Sequence, residues 1–421
     1  MAELREGRIS DADIERARSQ IGIPVAARHR SWNPVPDASS ISHFAFGIGD
    51  DNPLWHDRDY AATTRWGDQI APPMYAISAG VCTTAKFEDP ERKAQFRGLF
   101  RGVGKYLAST QWEWFRPIRP GDELFHDGHT MLDVEVKTST FSAGRSVVER
   151  LRTIYALGDG SVAAVRTDTL ISAERQGSRK AGKHASITRQ HYTAEDIARI
   201  DADYAQERRR GAEPRWWDDT EVGEDLGRIV KGPMTVLDVI GMHMAMGFGA
   251  YAIGPLKYNW QARQKMPAFF INDEYGVPDV VQRLHWDPKR ASDIGLPAPY
   301  DYGQMRFSWV SHLITNWMGD EAWLTALTAQ LKDFNYLGDT HWISGRVTRK
   351  YVEDDRHLVD LELAATNQRG TVTVPATATV QLPTRAAGAI VLPEVPQDLA
   401  ARGIEIARKG RPAGRPDTAP A

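Results

Sequence analysis

The sequence predicts an α+β protein built from two copies of one unit, each an antiparallel sheet wrapped round a central helix. The first observation is an internal repeat, because segment 43–50, HFAFGIGD, returns as segment 243–250, HMAMGFGA. The second is that each half of the chain ends in runs rich in Val, Thr, Leu and Ile separated by turn residues, as in a β-meander. A repeat of this kind decides the architecture before any single element does.

Two further landmarks recur in the same order along the chain. Trp55-His56-Asp57 returns as His285-Trp286-Asp287, and Pro120-Gly121-Asp122 returns as Leu337-Gly338-Asp339. Three landmarks in one order are hard to obtain by chance, so we expect equivalent helices and strands in the two halves.

The first half is predicted to be helical before it becomes β-structured. An amphipathic helix is expected over 10–22, a short apolar helix with serines at its start over 39–48, and the central helix of the unit over 72–87. The expected strands occupy 123–138, 145–157 and 161–172.

The second half repeats this order after a polar linker. Segment 174–190 is basic and rich in Gly and Ser, and a capped surface helix is expected from Thr193 to about Arg210. The second central helix is expected over 303–318, and the strands over 341–351, 357–365 and 371–382. The predicted organisation is therefore an N-terminal unit 1–180, a linker and surface helix 181–212, a C-terminal unit 213–400 and a flexible tail 401–421.

Composition excludes several classes of protein. The chain has 421 residues, of which 42% are hydrophobic and 25% charged, and a net charge of -3 with no basic block in its body, so nucleic acid is not an expected partner. No apolar run is long enough to span a bilayer, and the charged N-terminus does not resemble a signal peptide. The single cysteine, Cys82, fits a reducing compartment, so we expect a cytoplasmic protein without membrane contact.

One stretch connects the chain to a known family. The stretch from Gly47 to Tyr75 reads GIGDDNPLWHDRDYAATTRWGDQIAPPMY. The order and spacing of Gly49-Asp50, Asn52-Pro53-Leu54, Asp57 and Ala61 resemble the signature of MaoC-like acyl dehydratases and (R)-specific enoyl-CoA hydratases, with an N-terminal half similar to FAS1-like dehydratases. The resemblance implies a tandem hot-dog fold.

The resemblance also implies a reaction, the addition of water to an enoyl thioester. That reaction needs a base for water, an acid for the α-carbon and a donor that holds the thioester oxygen as enolate charge develops. In the family an Asp and a His handle the water and the proton, and a backbone N–H at the start of the central helix holds the oxygen.

The first unit departs from this pattern at two positions. Asp50 and Asn52 are kept, but Trp55 stands in the place of the family's His, and Pro73, which has no N–H, stands in the place of its oxyanion glycine. Asp50 and His56 are therefore the second choice for catalysis, with Asn52 as a substrate-binding residue. His56 beside Asp57 also fits an ordinary loop histidine.

The second unit has the complementary set. His285 stands at the family's His position and Gly303 at its oxyanion glycine, flanked by Tyr300 and Tyr302 as substrate-binding residues. Asp50, however, is matched by Ala250. We therefore predict His285 as the base and propose Asp279, six positions earlier in the chain, as the replacement acid. Asp279 equally fits a structural cap.

The sequence thus predicts a hydratase or dehydratase that interconverts 2-enoyl and 3-hydroxyacyl thioesters, with the CoA thioester as substrate and neither metal nor cofactor. It is expected to form homo-oligomers. Two alternatives stay open: a non-catalytic subunit that a second hot-dog chain completes, and a hot-dog acyl-CoA thioesterase.

Overall fold

The computed structural model of the protein describes residues 7–27, 31–100, 102–139, 144–174, 187–247 and 254–411. The first half contributes helices α1 (Asp11–Arg18), α2 (Ala38–Gly47), α3 (Pro53–His56), α4 (Arg58–Ala62) and α5 (Pro90–Phe96). Its strands are β1 (Pro24–Val25), β2 (Val81–Cys82), β3 (Gly104–Trp114), β4 (Leu124–His126), β5 (His129–Ser139), β6 (Gly144–Leu157) and β7 (Val162–Ala173).

The second half begins with the linker helix. Its helices are α6 (Ala194–Gln206), α7 (Val236–Ala245), α8 (Lys257–Lys265), α9 (Pro288–Asp293), α10 (Gly303–Met318) and α11 (Gln397–Gly410). Its strands are β8 (Asp225–Lys231), β9 (Phe270–Asn272), β10 (Pro278–Val280), β11 (Trp323–Gln330), β12 (His341–Glu353), β13 (Arg356–Asn367) and β14 (Val372–Gln381). Thr193 and Asp196 form a capping box at the start of α6, as the sequence predicts.

Twelve strands form one sheet with the order β1-β5-β6-β7-β3-β11-β14-β13-β12-β8, and β4 pairs with β6 and β2 beyond this path. Read outward from its centre, the sheet has the same strand order in both halves, so the two β-meanders are equivalent. The prediction of two separate sheets is wrong, because β3 pairs antiparallel with β11 and places Trp112 opposite Leu327. Pairing these two edges satisfies backbone groups that two separate sheets would leave open.

Helix α10 is the core of the second half. Every residue from Met305 to Met318 is buried, and the helix packs against β8 and β11 to β14. A helix that is buried all round needs no polar face. The central helix predicted over 303–318 is therefore present, and polar side chains within it, such as Arg306 and His312, are held inside the protein.

The described residues of the first half contain no counterpart of α10, so the central helix predicted over 72–87 is wrong. This fully described stretch contains a 3-10 helix, Tyr75–Ser78, and then the short strand β2. Pro72 and Pro73 cannot donate backbone hydrogen bonds, and Gly80 adopts a φ of +92°, so the chain turns out of a helical path on both sides. The apolar run packs in the core without forming a long helix.

The repeated segments 43–50 and 243–247 lie at the ends of helices α2 and α7, which pack against each other. The contact is close at Gly47, where a Cβ would lie 2.5 Å from Ala245 Cβ and 2.6 Å from Gly241 O. Glycine is needed here because a side chain would push the helices apart. The repeat therefore places equivalent helices side by side.

Helix α11 corrects the prediction of a flexible tail from residue 401. The helix extends to Gly410 and buries Leu399, Ile406 and Ala407 against Phe125 and Ile154 of the first half. Residues 412–421 lie outside the described part of the chain. The last helix of the chain thus packs on the N-terminal unit, and the predicted boundary at residue 400 does not separate two packing units. No helix among the described residues has the length and hydropathy needed to cross a membrane.

Candidate active site

His285 lies at the end of a 3-10 helix, Val281–His285, and is 7% exposed. Its Nδ1 is 2.7 Å from the carbonyl oxygen of Tyr300. A carbonyl only accepts hydrogen bonds, so this contact places the imidazole proton on Nδ1 and leaves the Nε2 lone pair as an acceptor. The structure therefore orients His285 as a neutral base.

The electrostatic setting of His285 keeps it neutral. Burial lowers the pKa of His285 to about 4, and the backbone carbonyls of Tyr300 and Asp301 offset this only in part. Removal from water penalises the charged imidazolium, which explains the direction of the shift. The ring is therefore in its basic form at neutral pH.

Aromatic side chains surround this histidine. The ring centroid of His285 lies 4.1 Å from that of Tyr302 and 4.6 Å from that of Tyr300. The Tyr302 hydroxyl in turn shares a hydrogen bond with Nε2 of His243, on α7. Sequence reasoning placed both tyrosines in the site but missed His243. Its recurrence with His43 marked it only as part of the repeat.

Gly303 is the first residue of α10 and lies next to these tyrosines in the chain. A Cβ at this position would lie 2.5 Å from Leu331 Cδ1, so the Leu331 side chain would have to shift to admit a larger residue. The first N–H groups of a helix have no partner within the helix and carry the positive end of its dipole. The start of α10 can therefore hold an oxygen that gains negative charge.

Asp301 fixes the start of α10, a role that sequence reasoning missed. Its carboxylate lies 2.9 Å from Nε of Arg306 and accepts a hydrogen bond of 2.8 Å from Asn335 Nδ2. Burial raises the pKa of Asp301 to about 6, although Arg306 acts in the opposite direction. The signal available in the sequence was an acidic residue two positions before the helix, between two aromatic residues of the site.

Asp279, the predicted acid, is not in contact with His285. It lies in β10, and its carboxylate accepts the backbone N–H of Val280 at 2.7 Å. No hydrogen bond or ion pair among the described residues joins it to His285. Ala250, the position of the lost family carboxylate, lies outside the described residues.

The variant Asp279→Asn tests whether this carboxylate acts in catalysis. Because the side chain hydrogen-bonds to its own strand, we expect turnover close to wild type, in contrast to the ~10²-fold or larger loss typical of an acid or base. Steady-state turnover on one accepted substrate checks this, with Asp273→Asn as a neighbouring carboxylate-to-amide control. A loss of ~10²-fold confined to Asp279→Asn would restore the sequence-based assignment.

In the first half, the structure surrounds Asp50 with groups from the second half. Asp50 is 2% exposed, and its Oδ1 lies 3.5 Å from Nε2 of His312 on α10. Nζ of Lys231, on β8, lies 2.9 Å from Nδ1 of the same histidine and donates a hydrogen bond of 2.7 Å to the Gly49 carbonyl. Burial raises the pKa of Asp50 to about 6, and Lys231 opposes this rise.

The side chain of His56 contacts the backbone of Asp50 and not its carboxylate. Its Nε2 donates to the backbone carbonyl of Asp50 at 2.7 Å, and the residue is exposed. Asn52 caps α3 by accepting the N–H of Leu54 at 3.1 Å, and its amide lies 3.3 Å from the carboxylate of Asp320. The second-choice pair Asp50 and His56 is therefore not assembled as an acid–base dyad.

A cleft beside the signature of the first half stands where a second active site would be expected. The space that water-sized molecules can occupy in it is only about 40 Å³, and its walls combine Asn52, Trp55 and Pro73 of the first half with Met318 and Trp323 of the second. Trp55 cannot act as a base, and Pro73 has no N–H to donate. The positions that carry the base and the donor in the family therefore supply neither group to this cleft.

Asp50, Asp51 and His312 each place a potential ligand atom within 4.8 Å of the others, a spacing that a metal ion could use. The ammonium group of Lys231 already contacts His312 Nδ1, and Arg209 donates a hydrogen bond of 2.8 Å to Asp51. Two side-chain cations thus compete for the positions that a metal ion would take.

Comparison with known proteins identifies relatives of part of the chain. Residues 26–163 match the family described as FAS1-like, dehydratase domain region. A UPF0336 protein of Thermobifida fusca is 29% identical over 130 residues, which cover 28% of this chain and 81% of the relative. A second UPF0336 protein, from Streptomyces avermitilis, is 28% identical over 85 residues, or 20% of this chain and 53% of the relative.

Solved structures share the overall fold. A MaoC-like dehydratase has a TM-score of 0.58 at 15% identity, with 87% of this chain and 99% of that chain covered. A MaoC domain protein dehydratase from Chloroflexus aurantiacus has a TM-score of 0.51 at 11% identity, with 87% and 96% covered. The resemblance to MaoC-like hot-dog proteins predicted from the sequence is confirmed.

Proposed function

Because the chain has the fold of the MaoC-like dehydratases and its residues 26–163 match a FAS1-like dehydratase domain, we propose that it is a hydro-lyase. It would interconvert 2-enoyl and 3-hydroxyacyl thioesters, with CoA as the thiol carrier. The observation that carries the proposal is the Nδ1 contact of 2.7 Å between His285 and the Tyr300 carbonyl, beside the start of α10. This contact leaves Nε2 as the basic nitrogen of a ring whose centroid lies 4.1 Å from that of Tyr302, the residue before α10.

The geometry supports separate roles for two parts of one site: His285 as the base and the start of α10 as the oxyanion donor. Nε2 of His285 takes a proton from water, and the water oxygen forms a bond to C3 of the enoyl thioester. The π electrons of the C2–C3 bond move toward the carbonyl, whose oxygen becomes an enolate. The N–H groups at the start of α10 stabilise this charge, since the helix dipole favours an anion at that end. Hydration is complete when C2 takes a proton and the carbonyl re-forms, and dehydration follows the same path in reverse.

Only the second half has this arrangement in the described part of the chain. The corresponding cleft of the first half has Trp55 and Pro73 at the positions of base and donor. We therefore assign turnover to the second half and a supporting role to the first. A homo-oligomer would bring two such sites together.

A panel of 2-enoyl-CoA esters tests the function. We expect the enone absorbance to fall with time, the product to be a 3-hydroxyacyl-CoA, and the free-thiol signal to stay flat. Release of free CoA from the same esters would indicate the thioesterase alternative instead. Lack of turnover by the isolated chain, together with turnover when a second hot-dog chain is added, would indicate a subunit that needs a partner.

A further inference from the structure

We propose that Tyr302, held by His243, is the second catalytic residue of this site and supplies the proton that C2 receives. This inference rests on the proposed function. The reaction needs an acid, position 250 is alanine, and the carboxylate of Asp279 is engaged by its own strand. Tyr302 and His243 are the polar pair that the structure places beside the base.

Position and chemistry both favour Tyr302. Its ring lies 4.1 Å from that of His285, centroid to centroid, and it directly precedes Gly303 at the start of α10. A phenol O–H can donate a proton and its oxygen can then accept one. The hydroxyl is hydrogen-bonded to His243, and the ring that carries it lies against the ring of the base.

The neighbouring acid Asp301 is committed elsewhere. Its carboxylate is paired with Arg306 and hydrogen-bonded to Asn335. Both contacts use Oδ2 and leave Oδ1 without a hydrogen-bond partner among the described residues, but a pKa of about 6 keeps the Asp301 carboxylate mostly ionised at neutral pH, without a proton to donate. Asp301 therefore positions the helix, and Tyr302 is left as the proton donor.

His243 acts on Tyr302 through their shared hydrogen bond. Burial lowers the pKa of His243 to about 4, so the ring is neutral and has one N–H and one bare nitrogen. With the proton on Nε2, His243 donates to the tyrosine oxygen, which directs the phenol O–H away from the histidine. The same N–H then stabilises the phenolate that remains after proton transfer. His243 is a positioning residue in this scheme.

The proton balance closes within the site. His285 Nε2 removes one proton from water as the C3–O bond forms, and the enolate collapses as C2 takes the proton of Tyr302. The phenolate then recovers a proton from His285, directly or through one water molecule. One water molecule has been added across the double bond, and both residues have returned to their starting forms.

Tyr302→Phe is the central test. We expect kcat to fall by ~10²-fold or more, with little change in KM, because the hydroxyl is needed only as C2 is protonated. In D2O the wild type should place deuterium on one face of C2. The variant's residual product should carry deuterium on both faces, because the solvent then supplies the proton. A purely structural role would lower the rate without changing this stereochemistry.

Tyr155→Phe is the matched control. Tyr155 is also a buried tyrosine, 3% exposed, but it lies on β6 of the first half. Removing its hydroxyl should leave the turnover rate and the stereochemistry of deuterium at C2 unchanged. If Tyr302→Phe retains a wild-type rate and one-sided deuterium while His285→Ala is inactive, this inference fails and the proposed function stands. An inactive wild type overturns both.

His243 decides the matter if Tyr302→Phe does not fold. His243→Gln keeps an N–H that can donate to the tyrosine oxygen, and His243→Leu does not. We expect the Gln variant to be at least about tenfold more active than the Leu variant. A tenfold ratio corresponds to the same free energy as a pKa difference of about one unit. Equal activity of the two folded variants would overturn the role assigned to the pair.

Discussion

His285→Ala is expected to lose turnover by ~10²–10⁴-fold, the range typical of a missing general base. Nε2 of this histidine is the acceptor that the structure leaves available, because Nδ1 is engaged by the Tyr300 carbonyl at 2.7 Å. The loss should appear in kcat and in kcat/KM alike, because the base is needed in the transition state and contributes little to ground-state binding. Steady-state kinetics on one accepted enoyl-CoA measures both quantities.

His56→Ala is the matched control for this substitution. His56 also donates to a backbone carbonyl, that of Asp50 at 2.7 Å, but it is exposed and lies in the half whose cleft has Pro73. The His56→Ala variant should retain most of the wild-type turnover. Melting temperatures of both variants separate a catalytic loss from unfolding, since the carbonyl of Tyr300 loses its partner in His285→Ala at a cost of about 1–3 kcal/mol. If His56→Ala is inactive while His285→Ala turns over normally, catalysis belongs to the first half.

The pH profile gives an independent check on the base. The pKa of His285 is lowered to about 4, so the histidine is deprotonated throughout the neutral range. Its contribution to kcat/KM should be constant between about pH 6 and pH 8 and should fall only as the pH approaches the lowered pKa. A histidine with an ordinary pKa would instead produce a rise across this range.

The sequence predicted the second half better than the first. The sequence could predict that His285 lies near Tyr302 and Gly303, because a loop followed closely by a helix start is a local feature that a motif can encode. Helix 303–318 was also predictable, since no glycine or proline interrupts it after Gly303. The first half carried the clearer motif, yet its predicted helix is absent. An apolar run after two prolines is equally compatible with a helix and with an irregular segment packed in the core.

Two features of the structure were not predicted from the sequence, one because no local pattern encodes it and one because its pattern was overlooked. The contacts of Lys231 with Gly49 and His312 span 182 and 81 positions, so no spacing rule could pair them. Helix α11, by contrast, has buried residues at 399, 403, 406 and 407, a helical spacing that was readable in the sequence. The Arg-, Pro- and Gly-rich composition of the segment beyond it favoured a tail instead.

Lys231→Met is expected to destabilise the protein by about 1–3 kcal/mol, the usual cost of leaving buried hydrogen-bonding groups without their partner. Lys231 is 7% exposed and donates to the carbonyls of Ile48 and Gly49. It also lowers the pKa of Asp50, which burial raises to about 6. Methionine fills similar space but leaves these carbonyls and the carboxylate without the cation.

The destabilisation should grow with pH. A carboxyl group whose pKa is raised on folding costs stability as the pH rises from its unfolded pKa to its folded pKa, because over that range the folded state still holds the proton that the unfolded state has lost. Without Lys231 the pKa of Asp50 rises further, so the variant falls further behind wild type as the pH increases from about 5 to about 8. Urea unfolding at several pH values gives the free energies.

Lys289→Met controls for the loss of a lysine as such. Lys289 pairs with Asp293 at the surface, where both side chains are substantially exposed, so its replacement should cost no more than about 1 kcal/mol at any of these pH values. Adding Asp50→Asn to Lys231→Met should remove most of the pH dependence and recover part of the stability, because the unpaired carboxylate is gone. A Lys231→Met protein as stable as Lys289→Met would mean that this cluster does not hold the two halves together. Loss of turnover in a fully folded Lys231→Met protein would return Asp50 to the list of catalytic candidates.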